Sequence, residues 1–226
     1  MAAGSLGSGE TNDIEPPLAG RGARCRWSSC CPAPEYLMDA FFTSTLLVAI
    51  AEIGDKTQLL AIVLATRFQR PLPIILGILG ATLANHALAA FAGQLAAEFF
   101  SGQWFRLAVA GSFIAMGLWT LIPDKLDDDD QPRVRGGAFV TTLVAFFLVE
   151  MGDKTQLATI ALGAQFESLA AVTAGTTLGM MIANVPAVLL GNALVQRISL
   201  KTVRTIAAIS FVVVGGWMLV ETLSGG

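Results

Sequence analysis

One short charged sequence occurs twice inside long apolar runs, and it limits what this chain can fold into. The first copy is Glu-Ile-Gly-Asp-Lys-Thr-Gln-Leu at residues 52–59, and the second is Glu-Met-Gly-Asp-Lys-Thr-Gln-Leu at residues 150–157. The flanking segments are too long and too apolar for ordinary soluble helices. A charged side chain that faces lipid at the bilayer centre costs about 2.5 to 3.5 kcal/mol on insertion scales. The motif charges must therefore face one another, water or a bound ion.

The composition is that of an integral membrane protein. Of the 226 residues, 54% are hydrophobic and only 14% are charged, and the mean hydropathy is +0.66, so there is too little polar surface to dissolve the chain. The basic residues lie in short loops and the net charge is -3, which excludes a nucleic-acid-binding protein. All three cysteines precede the apolar body, so we expect no disulfide framework and no zinc site.

Six segments after residue 38 are long and apolar enough to cross a bilayer, for which about 20 residues are needed. We predict an all-α integral membrane protein with six transmembrane helices at about residues 40–66, 72–97, 105–122, 138–165, 169–195 and 203–223. The expected organisation is a disordered N-terminal tail, a three-helix repeat, an acidic cytoplasmic loop and a second three-helix repeat, at residues 1–37, 38–122, 123–137 and 138–226.

The two halves of the apolar body are copies of one three-helix unit. Glu52 and Glu150 are 98 positions apart, as are Arg106 and Arg204. Because three is an odd number, the second unit enters the membrane in the opposite sense, and we predict two inverted repeats. Inversion about an axis in the membrane plane brings equivalent residues together at mid-depth, where both motifs fall. Within each motif, Glu, Asp and Lys share one face of the predicted helix, while the glycine either weakens the helix or lets a neighbouring backbone come close.

The distribution of Lys and Arg predicts the orientation in the membrane. Apart from the motif lysines, eight lie on the side of the loops that follow the first, third and fifth predicted helices, and four lie on the other side. The positive-inside rule therefore places the acidic loop in the cytoplasm and both termini outside. We expect a multi-pass protein of the bacterial plasma membrane, with a photosynthetic membrane as the alternative.

The candidate metal site consists of hard oxygen donors from both motifs and from the neighbouring helices. We expect the four motif carboxylates to be the primary ligands, with hydroxyl and amide groups completing or supporting the shell. The candidate ligands are Glu52, Asp55, Glu150, Asp153, Thr57, Thr155, Gln58, Gln156, Asn85 and Asn184, and Lys56 and Lys154 would tune the charge. Neither motif contains Cys or His, which favours Ca²⁺, Mn²⁺ or Mg²⁺ over Zn²⁺ or Cu⁺.

The charge of this site suggests exchange of a metal ion for protons. Four carboxylates and two lysines have a net charge of -2, which one divalent cation or two protons would balance. Because clustered carboxylates repel one another, protons are expected to compete with the metal. We therefore predict a secondary transporter.

Other functions use the same residues differently. A passive divalent cation channel could contain the same carboxylates without proton coupling. The charges could also be structural pairs that fix the register of a helical bundle, although such pairs do not explain the surplus of negative charge. We do not expect an enzyme, because no nucleophile and base accompany the acids.

The doubled Glu-x-Gly-Asp-Lys-Thr sequence resembles the Gdt-type cation transporter family, the relatives of transmembrane protein 165. In this chain each copy lies in the first helix of a three-helix repeat, with an acidic loop between the repeats, and the resemblance covers about residues 38–224. It implies a Ca²⁺/Mn²⁺ transporter that exchanges the cation for protons, with Glu52, Asp55, Glu150 and Asp153 at the metal-binding positions. The expected partners are the lipid bilayer and the divalent cation, with protons as counter-ions and no resident cofactor.

Overall fold

Every regular element in the described part of the chain is an α-helix. The computed structural model describes residues 34–100, 102–122, 136–166, 168–191 and 200–224. Its helices are α1 (Pro34–Glu52), α2 (Lys56–Phe68), α3 (Pro71–Phe99), α4 (Gln103–Thr120), α5 (Ala138–Glu150), α6 (Lys154–Phe166), α7 (Leu169–Leu190) and α8 (Leu200–Ser224). The expected tail and acidic loop lie almost wholly outside the described residues, and α1 begins at Pro34, ahead of the boundary predicted at residue 38.

Two predicted helices are broken at the charged motifs. α1 ends at Glu52 and α2 begins after Asp55, and the two helices are bent by 69°. α5 and α6 are separated in the same way. The prediction of a continuous helix through each motif, with Glu, Asp and Lys on one face, was wrong. The physical reason is the motif glycine, because φ is 85° at Gly54 and 82° at Gly152, a left-handed conformation that ends an α-helix.

Several helices are suited to a membrane. By length and composition α3, α7 and α8 are candidate spans, and the bent α1–α2 pair is a fourth if it crosses as one span. Large apolar side chains such as Leu88, Leu148 and Val213 are exposed on the helices, as expected of a surface in contact with lipid. The prediction of an all-helical protein is confirmed, whereas six spans in two inverted repeats remain a prediction.

Helices of the first half of the chain pack mainly on helices of the second half. α1 packs along α7, and α5 packs along α3, so each contact has a counterpart in the other repeat; α4 packs on α8. The α1–α7 approach is close, because a Cβ atom on Gly179 would lie only 2.6 Å from the carbonyl oxygen of Thr45. This exchange of packing partners places the two helix breaks next to each other.

Candidate metal centre

The two breaks bring carboxylates of both motifs into one buried cluster. Glu52, Asp55 and Asp153 each offer an oxygen atom that lies within 4.8 Å of the other two. Their exposed fractions are 0%, 7% and 5%. Oxygen ligands that lie about 2.3 to 2.6 Å from a Ca²⁺ ion can be up to about 5 Å apart. Three oxygens at these separations can therefore surround one divalent cation.

Glu150 lies beside this cluster as the fourth carboxylate. It is fully buried, and neither of its oxygens has a hydrogen-bond partner among the described residues. Its charge interacts with those of the other three motif carboxylates. A buried carboxylate without a hydrogen-bond donor needs a cation or a proton to be stable. Both oxygens of Glu150 are thus available for either.

The threonine hydroxyls make the site asymmetric although the two motifs are nearly identical. The Thr57 hydroxyl donates a hydrogen bond of 2.6 Å to Oε2 of Glu52. The Thr155 hydroxyl, from the second motif, donates to Oε1 of the same residue. Glu52 therefore accepts both hydroxyl groups, whereas its repeat counterpart Glu150 accepts neither. The two glutamates cannot behave identically toward a cation in this state.

The two motif lysines also differ in their contacts. Nζ of Lys56 lies 3.3 Å from Oδ1 of Asp153, an ion pair between the two motifs. Nζ of Lys154 lies over the ring of Trp119 on α4, 5.8 Å from its centroid, within the range of a cation–π interaction. Lys56 thus compensates charge inside the cluster, while Lys154 connects the cluster to α4.

The motif glutamines hold the backbone of the breaks. The Gly54 N–H donates to Oε1 of Gln58 at 2.9 Å, and the Gly152 N–H donates to Oε1 of Gln156 at 2.7 Å. Nε2 of Gln58 donates to the carbonyl oxygen of Ala183 on α7 at 3.1 Å. The two glycine bonds satisfy N–H groups inside the breaks, and the bond to Ala183 joins the first break to α7. Direct ligation by the glutamines stays a prediction, and their contacts here are structural.

The two asparagines present their amide oxygens without partners. Nδ2 of Asn85 donates to the carbonyl oxygen of Phe147 on α5, and Nδ2 of Asn184 donates to that of Met180 on α7. Oδ1 of each asparagine is buried and has no hydrogen-bond partner in the part of the chain that the structure describes. A buried amide oxygen of this kind is a suitable hard ligand or can accept from bound water.

A small cavity adjoins the carboxylate cluster, and one of the residues that line it was not among the predicted site residues. Its volume is about 10 Å³, roughly the room for one water molecule. Asp55, Asp153 and Lys154 line it, together with Thr120 and Arg204. Arg204 entered the sequence analysis only through the loop charges and the repeat interval. Its repetition as Arg106 and Arg204 was the one feature of the sequence that could have identified it as a site residue.

Comparisons with known proteins identify similar sequences across nearly the whole apolar body. The model of the family described as "Divalent cation/proton antiporter GDT1" matches residues 40–128 and 138–226. The chain is 48% identical to the "Putative manganese exporter" of Vibrio cholerae over 179 residues, which are 79% of this chain and 88% of the relative. It is 31% identical to GDT1-like protein sll0615 of Synechocystis sp. over 77% of this chain and 94% of the relative. No solved structure matches.

Proposed function

Because this chain belongs to the GDT1 divalent cation/proton antiporter family, we propose that it moves Mn²⁺ or Ca²⁺ in exchange for protons through the carboxylate cluster. Membership of this family makes the protein a transporter of divalent cations rather than an enzyme. The observation that carries the site is the position of Glu52, Asp55 and Asp153, whose oxygens lie within 4.8 Å of one another in a buried cluster. The relative named as a manganese exporter supports Mn²⁺ as a substrate.

The charge of the cluster supports exchange. With four carboxylates ionised and two lysines charged, the site carries a net charge of -2. Either one divalent cation or two protons neutralise it, and an uncompensated charge in the membrane interior is strongly disfavoured. Occupancy by the metal and by protons is therefore mutually exclusive, which is the requirement for coupled antiport.

The packing supports two inverted repeats around this site. If each pair of helices separated by a break, α1–α2 and α5–α6, crosses the membrane as one span, the chain has six spans with the breaks near mid-depth. The reciprocal α1–α7 and α5–α3 contacts are those expected of repeats related by an axis in the membrane plane. With the positive-inside rule, the acidic loop is cytoplasmic and both termini are outside. We place the protein in a bacterial plasma membrane.

The proposal is tested by cation flux in proteoliposomes. The purified protein is reconstituted with Mn²⁺ or Ca²⁺ on one side, and a pH gradient is imposed. We expect saturable flux that follows the proton gradient, and no flux from Glu52→Gln or Asp153→Asn. The matched control is Glu98→Gln, because Glu98 is an exposed acid on α3, and its flux should equal that of the unmodified protein.

Three results would contradict different parts of the proposal. Flux that does not saturate and ignores the pH gradient would indicate the passive channel. Flux near the unmodified rate from folded Glu52→Gln and Asp153→Asn proteins would contradict the site assignment. No flux of either metal from the unmodified protein would leave the motif charges as structural pairs.

A further inference from the structure

Arg204 brings a fixed positive charge to the carboxylate cavity from outside the two motifs. It lies in the first turns of α8 and lines the cavity of about 10 Å³ together with Asp55 and Asp153. Its Nε atom is buried and has no hydrogen-bond partner in the described ranges. A guanidinium group remains charged at all accessible pH values. Its charge therefore acts on any cation that enters this cavity.

The repeat counterpart of Arg204 lies elsewhere. Arg106, on α4, lines a separate cavity of about 350 Å³, in which Gln165 and Glu221 are among its neighbours and no motif residue lines the wall. α4 and α8 are antiparallel, because Gly117 approaches Ala208 while Gly215 approaches Ala110. The two arginines therefore lie at opposite ends of the α4–α8 pair.

This difference between equivalent residues changes the charge that a cation meets. The motif carboxylates and lysines have a net charge of -2, and Arg204 at the cavity reduces it to -1. A divalent cation then leaves a surplus positive charge in a buried site, which disfavours its retention. With the arginine withdrawn, the charge of -2 matches a divalent cation. The position of one guanidinium thus sets how firmly the site holds the metal.

We propose that Arg204 and Arg106 are paired release residues that act alternately on the carboxylate site. Each arginine approaches the site when the site is open toward that arginine's own side of the membrane, and it lowers the affinity for the divalent cation there. In the present structure Arg204 is at the cavity and Arg106 is away from it. This inference rests on the proposed transport function and adds to it a residue pair that drives release.

The test is the side dependence of KM in proteoliposomes of known orientation. Mn²⁺ flux is measured with the metal supplied either on the side where α8 begins or on the opposite side. For Arg204→Gln we expect KM to fall about tenfold only on the α8-start side, and the maximal rate to fall only for flux toward that side, because release there slows. One charge acting over a few ångströms in a partly polar site accounts for this size. Arg106→Gln should show the same change only on the opposite side.

Two variants serve as controls. Arg204→Lys retains the charge and should restore the KM of the unmodified protein. Arg67→Gln removes an exposed arginine at the end of α2, outside the cavity, and should leave KM unchanged on both sides. A general loss of folding would lower the maximal rate without a side-specific change in KM.

The outcomes separate this inference from the proposed function. An unmodified protein that moves no cation contradicts the proposed function itself. An unmodified protein that transports, with KM unchanged in Arg204→Gln or changed equally on both sides, overturns the alternating arginines alone. If Arg204→Gln does not fold, Arg106→Gln decides, because an unchanged KM in that variant also overturns the proposal.

Discussion

Replacing Gly152 by alanine tests the helix break, because a broken helix predicts a loss of stability in this variant and a continuous helix predicts a gain. Gly152 has φ 82°, and a Cβ atom there would meet no atom within 4 Å, so the effect is conformational rather than steric. A left-handed conformation costs an L-residue roughly 1 to 2 kcal/mol. Alanine also lowers the entropy of the unfolded chain, which offsets about 0.4 to 1 kcal/mol of this cost. We expect a net loss of about 1 kcal/mol in the free energy of unfolding.

Thermal unfolding in detergent measures this change. For a chain of this size 1 kcal/mol corresponds to a decrease in Tm of roughly 2 to 4 °C. In a continuous helix alanine is better than glycine by about 1 kcal/mol, and Tm would rise by a similar amount. The control is Gly111→Ala on α4, where a Cβ atom also meets nothing within 4 Å and φ is not positive, so Tm should rise or stay unchanged. A higher Tm for Gly152→Ala would refute the broken helix.

Two further substitutions test contacts of the site and of the bundle. Thr155→Val removes the hydroxyl that donates to the buried Glu52. A hydrogen bond to a charged group contributes about 1.5 to 3 kcal/mol to stability, so Tm in detergent should fall by several degrees, and Thr155→Ser should restore it. An unchanged Tm in Thr155→Val would show that this bond does not stabilise the site. In Gly179→Leu the new side chain has no room, because its Cβ atom alone would lie 2.6 Å from the Thr45 carbonyl oxygen. Such overpacking costs about 1 to 3 kcal/mol and should lower Tm by several degrees. Gly111→Leu, where the new side chain has open space, should not lower Tm. Equal Tm values for these two leucine variants would contradict the close α1–α7 approach.

The class of fold and the region of the site were accessible to sequence reasoning for simple physical reasons. Charges in apolar segments are too costly to face lipid, so the motifs had to lie inside a helical bundle. The repeat interval then related Glu52 to Glu150 and Arg106 to Arg204. These arguments depend only on composition and on the repeat interval, both of which can be read directly from the sequence.

The helix breaks were not predictable in the same way. A glycine inside an apolar run is compatible with a helix, a kink or close packing, and only the backbone angles at Gly54 and Gly152 distinguish these. The unequal hydrogen bonding of Glu52 and Glu150 could not be predicted either, because their motifs are almost identical and the difference arises from packing between the repeats. Arg204 reaches the cavity through tertiary contacts of α8 that no local pattern encodes.

The breaks also expose main-chain carbonyl oxygens, which can bind a metal ion and which side-chain mutagenesis cannot remove. A helix end leaves the carbonyl groups of its last turn without intrahelical partners, and here two such ends adjoin the carboxylates. The position inside the break, Ile53 or Met151, is the one at which the two eight-residue copies differ, and Ile53 borders the cavity. If its main chain contributes an oxygen there, the side chain can vary freely while the peptide group cannot. An alanine scan would then undercount the ligands, and amide-to-ester replacement of the backbone would reveal the remainder.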